Sequence, residues 1–337
     1  MTQRAARSSA ADRGLIPSAE ATARFADALA AIWPEAERGS GLKLGLAVSG
    51  GPDSTALLLL AAAALPGRIA AASVDHGLRD GSAGEAADVG TLCARLGVPH
   101  AVLAVEVAAG NLQTEARRAR YAALARWLAA NDLSALATGH HADDQAETLL
   151  LRLNRASGVA GLAGTRARGV VPESAIPLLR PLLGWRRADL AEIVAAAGIA
   201  PAQDPSNRDD RFDRARLRKA LAGADWLDVE AIATSAVHLA DADVALDWAA
   251  QREWSECVTG SGLATVYRPK APRAVVLRVL ARIVGEMDGE QRGSAVARLF
   301  ESLSAGRPAS IGDLVARPLP EGWSFTRAPK RRSDSKY

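Results

Sequence analysis

The chain reads as an α/β protein, a parallel twisted sheet with helices on both faces, followed by a smaller helical C-terminal domain. Three observations lead there. Short apolar runs alternate with helix-period segments from residue 42 to residue 154. Polar clusters stand at the ends of at least three of the four apolar runs, which is where ligands sit in a parallel sheet. Beyond about Leu221 the alternation stops and alanine-rich helical stretches take over.

The elements follow in order. Residues 1–16 carry Arg4, Arg7 and Arg13 without a continuous apolar stretch and read as a disordered start. Ser18 caps a helix with Phe25, Leu29, Ile32 and Trp33 on one face, and Pro34 stops it. Strands are expected at Leu42–Val48, Arg68–Val74, His100–Val107 and Leu133–Thr138. Between and after them come helices over Ser54–Leu65, through Val89, Leu92 and Leu96, from Asn111 through Tyr121, Leu124 and Leu128, and from Ala142 to Asn154. Glycines and prolines over Ser157–Pro177 read as a loop-rich segment, and Arg186–Ala197 as a further helix stopped by Gly198. Helices are expected around Val229–Trp254, Ala274–Val284 and Ser294–Ser304. The divisions are 1–40, a disordered start with the first helix; 41–222, the catalytic domain; 223–326, a helical domain; and 327–337, a basic tail.

Composition sets limits. At 337 residues the chain can bury at least one large core, and 49% hydrophobic with 23% charged residues is ordinary for a globular protein. The net charge is only +3, so any nucleic-acid contact must rest on local arginine clusters. Cys93 and Cys257 form no paired motif, which argues against a disulfide framework, a zinc site or a redox pair. Cys93, between Leu92 and Ala94, reads as a small buried hydrophobe. No apolar run reaches the ~20 residues of a membrane span, so a cytoplasmic protein is expected, with an oligomer left open.

The most informative stretch is Ser49-Gly50-Gly51-Pro52-Asp53-Ser54-Thr55, between a buried strand and a helix. Glycines let the backbone close on a ligand, and free N–H groups at a helix start favour an anion. Asp53 would repel phosphate, so it calls for a partner cation such as Mg²⁺ or a cationic second substrate. No lysine follows the glycines, which excludes a Walker A loop.

This heptapeptide resembles that of the pyrophosphate-loop (PP-loop) ATPases, whose fold is adenine nucleotide alpha-hydrolase-like. Four more segments narrow the likeness: Asp75-His76-Gly77-Leu78-Arg79; Asn111 with Glu115-Ala116-Arg117 and Arg120-Tyr121; Gly139-His140-His141-Ala142-Asp143-Asp144-Gln145-Ala146-Glu147-Thr148; and Asp204-Pro205-Ser206-Asn207 leading to Arg214-Ala215-Arg216-Leu217-Arg218. In this order they resemble the tRNA(Ile)-lysidine synthetases across roughly residues 42–220. Gln203 and Ala220–Ala224 depart from that pattern, where an aromatic residue and a proline are usual.

The resemblance implies a ligase. The wobble cytidine of an isoleucine tRNA with a CAU anticodon is adenylated by ATP at its C2 oxygen, releasing pyrophosphate. The ε-amine of free L-lysine then displaces AMP, and the tRNA reads AUA instead of AUG. An ammonium substrate needs carboxylates, and Asp144 and Glu147 lie three apart on one helical face. Asp53, Asp144, Glu147, Arg117 and Arg214 are therefore the expected catalytic set. Ser49, Gly50, Gly51, Pro52, Asp53, Ser54, Thr55, Asp75, His76 and His140 are expected to bind ATP. Asp53 and Asp144 are the expected Mg²⁺ ligands, Arg120, Arg216 and Arg218 the expected tRNA contacts, and the helical domain 223–326 the expected tRNA-contacting domain. Arg118 reads as a solvated face residue. For His140 and His141, proton transfer, ATP contact and a structural hydrogen bond all stay open. Two alternatives also remain, a PP-loop tRNA thiolase and a non-catalytic ATP-dependent tRNA-binding protein.

Overall fold

The computed structural model describes residues 14–38, 41–77, 82–106, 112–202, 213–261, 264–289 and 293–327. The chain divides into two compact units after Leu239. The first begins with helix α1 (Ala19–Ile32), whose Ser18 cap accepts a hydrogen bond from the Ala21 N–H at 3.1 Å, and a short α2 (Glu35–Arg38). Then come β1 (Leu44–Ala47), α3 (Pro52–Ala64), β2 (Ile69–Asp75), α4 (Ser82–Leu96), β3 (His100–Ala104), α5 (Leu112–Ala130), β4 (Ala135–Ala137) and α6 (Ala142–Leu153). The expected alternation is present, and differences at element ends are a residue or two for most of them.

Among the described residues the first sheet has six strands in the order β3-β2-β1-β4-β6-β5. Neighbours from β3 to β6 run parallel, and β5 (Arg168–Val170) runs antiparallel to β6 (Pro177–Leu179) at the edge. β5 falls inside the Ser157–Pro177 segment where the glycine and proline content predicts a loop, and β6 starts at its last residue. Three-residue strands carry too little alternation to stand out, and pairing beside β4 stabilises them. Strand order reverses at β1, which has β2 on one side and β4 on the other, so a crevice opens beyond the carboxyl ends of β1 and β4.

Two apolar layers sandwich the sheet. On one face α1, α3 and the later helix α8 (Arg187–Ala196) pack together, and α3 buries every residue from Ser54 to Ala61. On the other, Tyr121, Leu124, Trp127 and Leu128 of α5 cover Leu136 and Leu178. Leu15 lies in the first layer at 1% exposure, which corrects the expected disordered start for the described residues 14–16. Burying its apolar side chain is what holds it there. Residues 1–13 lie outside the described residues. A short α7 (Val159–Leu162) and α9 (Asp213–Ala222) complete this part.

Helix α10 (Val229–Cys257) carries the division at Leu239, not the expected boundary at 222–223. Its first turns stay with the first unit, where Ala233 and Ala236 are buried. The second unit also corrects the purely helical expectation. Besides α11 (Arg273–Asp288) and α12 (Gly293–Ser304) it holds β7 (Val258–Ser261), β8 (Ala264–Tyr267), β9 (Ala309–Ile311), β10 (Leu314–Leu319) and β11 (Gly322–Arg327). These form an antiparallel sheet in the order β7-β8-β11-β10-β9, packed by Val279, Leu280, Ile283 and Leu299. Of the expected basic tail, Arg327 ends β11 and its Nε donates to the Met287 carbonyl at 3.1 Å. Residues 328–337 lie outside the described residues.

Candidate active site

The loop after β1 sets the site. Gly50 adopts φ +85°, a left-handed conformation that favours glycine, and Gly51 precedes the first turn of α3 with Pro52 at its start. The Thr55 N–H donates to the Gly51 carbonyl at 3.0 Å, which leaves the earlier helical N–H groups without an intrahelical acceptor, the arrangement that suits an anion. Hydroxyls hold the loop closed: the Ser49 N–H donates to Ser54 Oγ at 3.1 Å, and Ser54 Oγ donates to the Gly51 carbonyl at 3.1 Å.

A cleft of about 600 Å³ opens over this loop. Ser49, Gly51, Asp53 and Ser54 line its floor; His76, Arg120, His140, Asp144 and Arg214 join them from other segments. Gly139 explains how the β4 end reaches the loop: a Cβ there would stand 2.9 Å from the Asp53 carbonyl oxygen and 3.1 Å from the Ser54 nitrogen. Gly50, Pro52 and Thr55 shape the loop from behind, Thr55 at 3% exposure. Asp75 accepts from the Gly77 N–H at 2.9 Å, which orders the turn that presents His76.

The two adjacent histidines part ways. His140 Nδ1 lies 2.8 Å from Thr138 Oγ1, and burial, with the cations Arg180, Arg120 and Arg117 nearby, takes its pKa down to about 4 against the pull of Asp144. It is a neutral imidazole at pH 7. His141 is fully buried among carboxylates: Nε2 is 3.4 Å from Asp53 Oδ2 and 3.5 Å from Asp144 Oδ2, and Nδ1 is 3.5 Å from Asp143 Oδ2. Burial pushes its imidazole down, but Asp143, Asp53 and Asp144 together outweigh that and raise it to about 9. Asp143 also accepts from the Arg187 N–H at 2.8 Å and from Arg186, so its carboxyl stays below the usual range despite burial. The contact with Arg186 and Arg187 joins α6 to α8.

The expected carboxylates do converge on one face of α6, but they are already paired. Glu147, at 1% exposure, accepts from Arg218 Nε at 2.5 Å, with Arg187 Nη2 3.8 Å away. Arg218 also lies 3.6 Å from Asp144 Oδ1. Arg214 Nη2 donates to Thr148 Oγ1 at 3.3 Å. Arg216 points outward from α9 with its side chain 59% exposed and pairs with Asp213, which Arg155 also meets at 2.7 Å. Arg117 is exposed over the Tyr121 ring at 5.0 Å, outside the cleft lining, while Arg120 is inside it and its pKa is lowered by burial. Arg118 is exposed and pairs with Glu115. Residues 203–212, with the Asp204–Asn207 segment, lie outside the described residues, as do Leu78, Arg79 and Asn111.

Residues 22–224 match the PP-loop domain family. A tRNA(Ile)-lysidine synthase of Novosphingobium aromaticivorans is 47% identical over 293 residues, 86% of this chain and 90% of that protein. The chain belongs to the tRNA(Ile)-lysidine synthase family of PP-loop proteins. A second relative in that family, from Zymomonas mobilis, is 39% identical over 298 residues, 86% of this chain and 90% of its own length. The same fold is found in the U34-tRNA thiolase NcsA of Methanococcus maripaludis, at TM-score 0.53 and 15% identity, covering 65% of this chain and 78% of that one.

Against that family background, the structure adds site residues that motif reading did not single out. Ser73 lines the cleft and donates from Oγ to the Val48 carbonyl at 2.8 Å, steadying the strand end that carries the PP-loop. Glu85 also lines it, beside Tyr121 of the Arg120-Tyr121 motif, and Arg187 backs Glu147. Ser73, Glu85 and Arg187 reach the site only through folding, so spacing along the chain carries no trace of them.

Proposed function

We propose that this protein ligates L-lysine to C2 of the wobble cytidine of an isoleucine tRNA, through an adenylated cytidine and at the expense of ATP. The observation that carries the reading is a single cleft with an anion-binding helix start on its floor, arginines in its wall and carboxylates beside them. In this reading the amides of the PP-loop hold the leaving pyrophosphate, and Arg120 and Arg214 balance charge at the α-phosphate as the cytidine O2 attacks. Neutral His140 contributes hydrogen bonding without adding charge. Asp144 and Glu147 receive the lysine ammonium. The ε-ammonium passes a proton to Asp144, the freed amine forms the C2–N bond, and the C2–O bond breaks as AMP departs.

A Mg²⁺ brought in with ATP fits the donor set. Asp53 and Asp144 both line the cleft, they are hard oxygen ligands, and Asp53 Oδ1 is buried without a hydrogen-bond partner. Among the described residues no group of three or more His, Cys, Asp or Glu is placed to hold a metal ion, so Asp53 and Asp144 would hold it only together with the nucleotide. When bound, the ion neutralises phosphate charge.

Both cysteines are buried, Cys93 with its thiol pushed up to about 12 by burial, which leaves no reachable thiol for sulfur transfer and favours the ligase over the thiolase. Among the described residues no helix is long and apolar enough to cross a membrane. We place the enzyme with its tRNA in the cytoplasm. The test is an incubation of the protein with ATP, radiolabelled lysine and unmodified isoleucine tRNA. We expect label in the tRNA at one lysine per pyrophosphate released. Pyrophosphate release without label, or neither, would overturn the reading.

A further inference from the structure

One guanidinium spans the two carboxylates assigned above to lysine: Arg218 meets Glu147 Oε1 at 2.5 Å and Asp144 Oδ1 at 3.6 Å. Glu147 is 1% exposed, and removing the partner of a buried ion pair without replacing it is strongly unfavourable. Its second oxygen, Oε2, is buried and has no hydrogen-bond partner, so Glu147, which sits behind the cleft lining formed by Asp144, keeps acceptor capacity that Arg218 does not use. The helix that delivers Arg218 is weakly anchored by apolar burial, since Ala215 is the buried residue of α9. Polar contacts hold it instead: Arg214 to Thr148, Arg218 to Glu147, and Arg155 to Asp213. Such contacts exchange readily for contacts to a polyanion.

We propose that Arg218 is the resident cation of the lysine pocket and that bound tRNA removes it. An RNA phosphate draws the guanidinium off Glu147 and Asp144, and the ammonium of lysine takes its place. Arg187, 3.8 Å from Glu147, stays behind as a partial counter-charge during the exchange. Arg218 is thereby a positioning residue that makes lysine binding depend on tRNA. The proposal rests on the ligase reading and on Asp144 and Glu147 as the ammonium site.

The coupling is measurable without turnover. L-lysine binding to the full chain is measured by equilibrium dialysis with and without the CAU-anticodon isoleucine tRNA, with α,β-methylene-ATP present so that no bond forms. The wild type is expected to bind lysine about tenfold or more tightly with tRNA, the range of ordinary allosteric coupling. In Arg218→Gln, lysine binds the tRNA-free protein more tightly than in the wild type and the tRNA effect shrinks towards one. Arg218→Lys keeps the charge, and with it the fold, but makes a single-point contact. Its coupling is expected to fall several-fold, through tighter lysine binding to the tRNA-free protein, while lysine affinity with tRNA bound changes less. A wild type with no tRNA effect, or a coupling ratio left unchanged in a folded variant, overturns the proposal. If labelled lysine still enters tRNA in that case, the ligase reading survives; if it never does, that reading has failed instead.

Discussion

Neighbouring residues with identical side chains can be driven to opposite charge states by their surroundings, and His140 and His141 are such a pair. His140 carries a testable pH signature. Its folded pKa, lowered to about 4, lies below the ordinary histidine value. Between pH 6.5 and 4 the unfolded chain therefore binds the extra proton, and folding stability is full above that window and lost as pH falls through it. Relative to His140→Gln, the wild type is expected to lose about 2 kcal/mol between pH 7.5 and pH 5. Urea unfolding of both proteins at the two pH values measures this; parallel changes would show that the imidazole is not held neutral. The roles of the two histidines stay open on sequence grounds because they differ by one step in a turn: His140 lines the cleft, while His141 points inward among three aspartates. The residues of the PP-loop are legible because their chemistry is contiguous. The Arg218–Glu147 pair spans 71 positions and is not.

Elements were readable in proportion to how much periodicity they carry. The strands flanking long helices are legible from their apolar runs, and α3 is recognisable although every residue from Ser54 to Ala61 is buried. The short β5 and β6, and the hairpin of β10 and β11 turning at Pro320-Glu321, offer three to six residues each without a strong turn signal. Close packing between elements also leaves a testable mark. Gly45 in β1 lies directly beneath α5, where an added Cβ would fall 2.4 Å from Leu128 Cδ2 and 2.9 Å from the Trp127 ring. Gly45→Ala is expected to destabilise the protein by about 1–3 kcal/mol through overpacking. Chemical denaturation with an unchanged m-value would report it, and a change below a few tenths of a kcal/mol would mean that α5 yields freely.

At the scale of the whole molecule, strand order does what sequence order cannot. The reversal at β1 brings residues 49–55 next to residues 138–147, and α9 then brings Arg214 and Arg218 against α6. A net charge of +3 hides this concentration of cations. Arg216 faces outward on the same helix, 59% exposed and outside the cleft lining, and the tRNA contact expected of it is testable. Arg216→Ala should weaken tRNA binding while lowering the slope of log affinity against log salt by roughly one. Filter binding at several salt concentrations decides it, and an unchanged slope would remove Arg216 from the interface. The division after Leu239 was not legible either, because α10 runs through it without a break in helical pattern.

The interior placement of Cys93 and Cys257 has a practical consequence. With no native sulfhydryl at the surface, a single cysteine introduced on the exposed side of α9 will be the fast-reacting site for maleimide dyes. A fluorophore at that position reports directly whether this helix changes its contact with α6, readable in real time as RNA is mixed in.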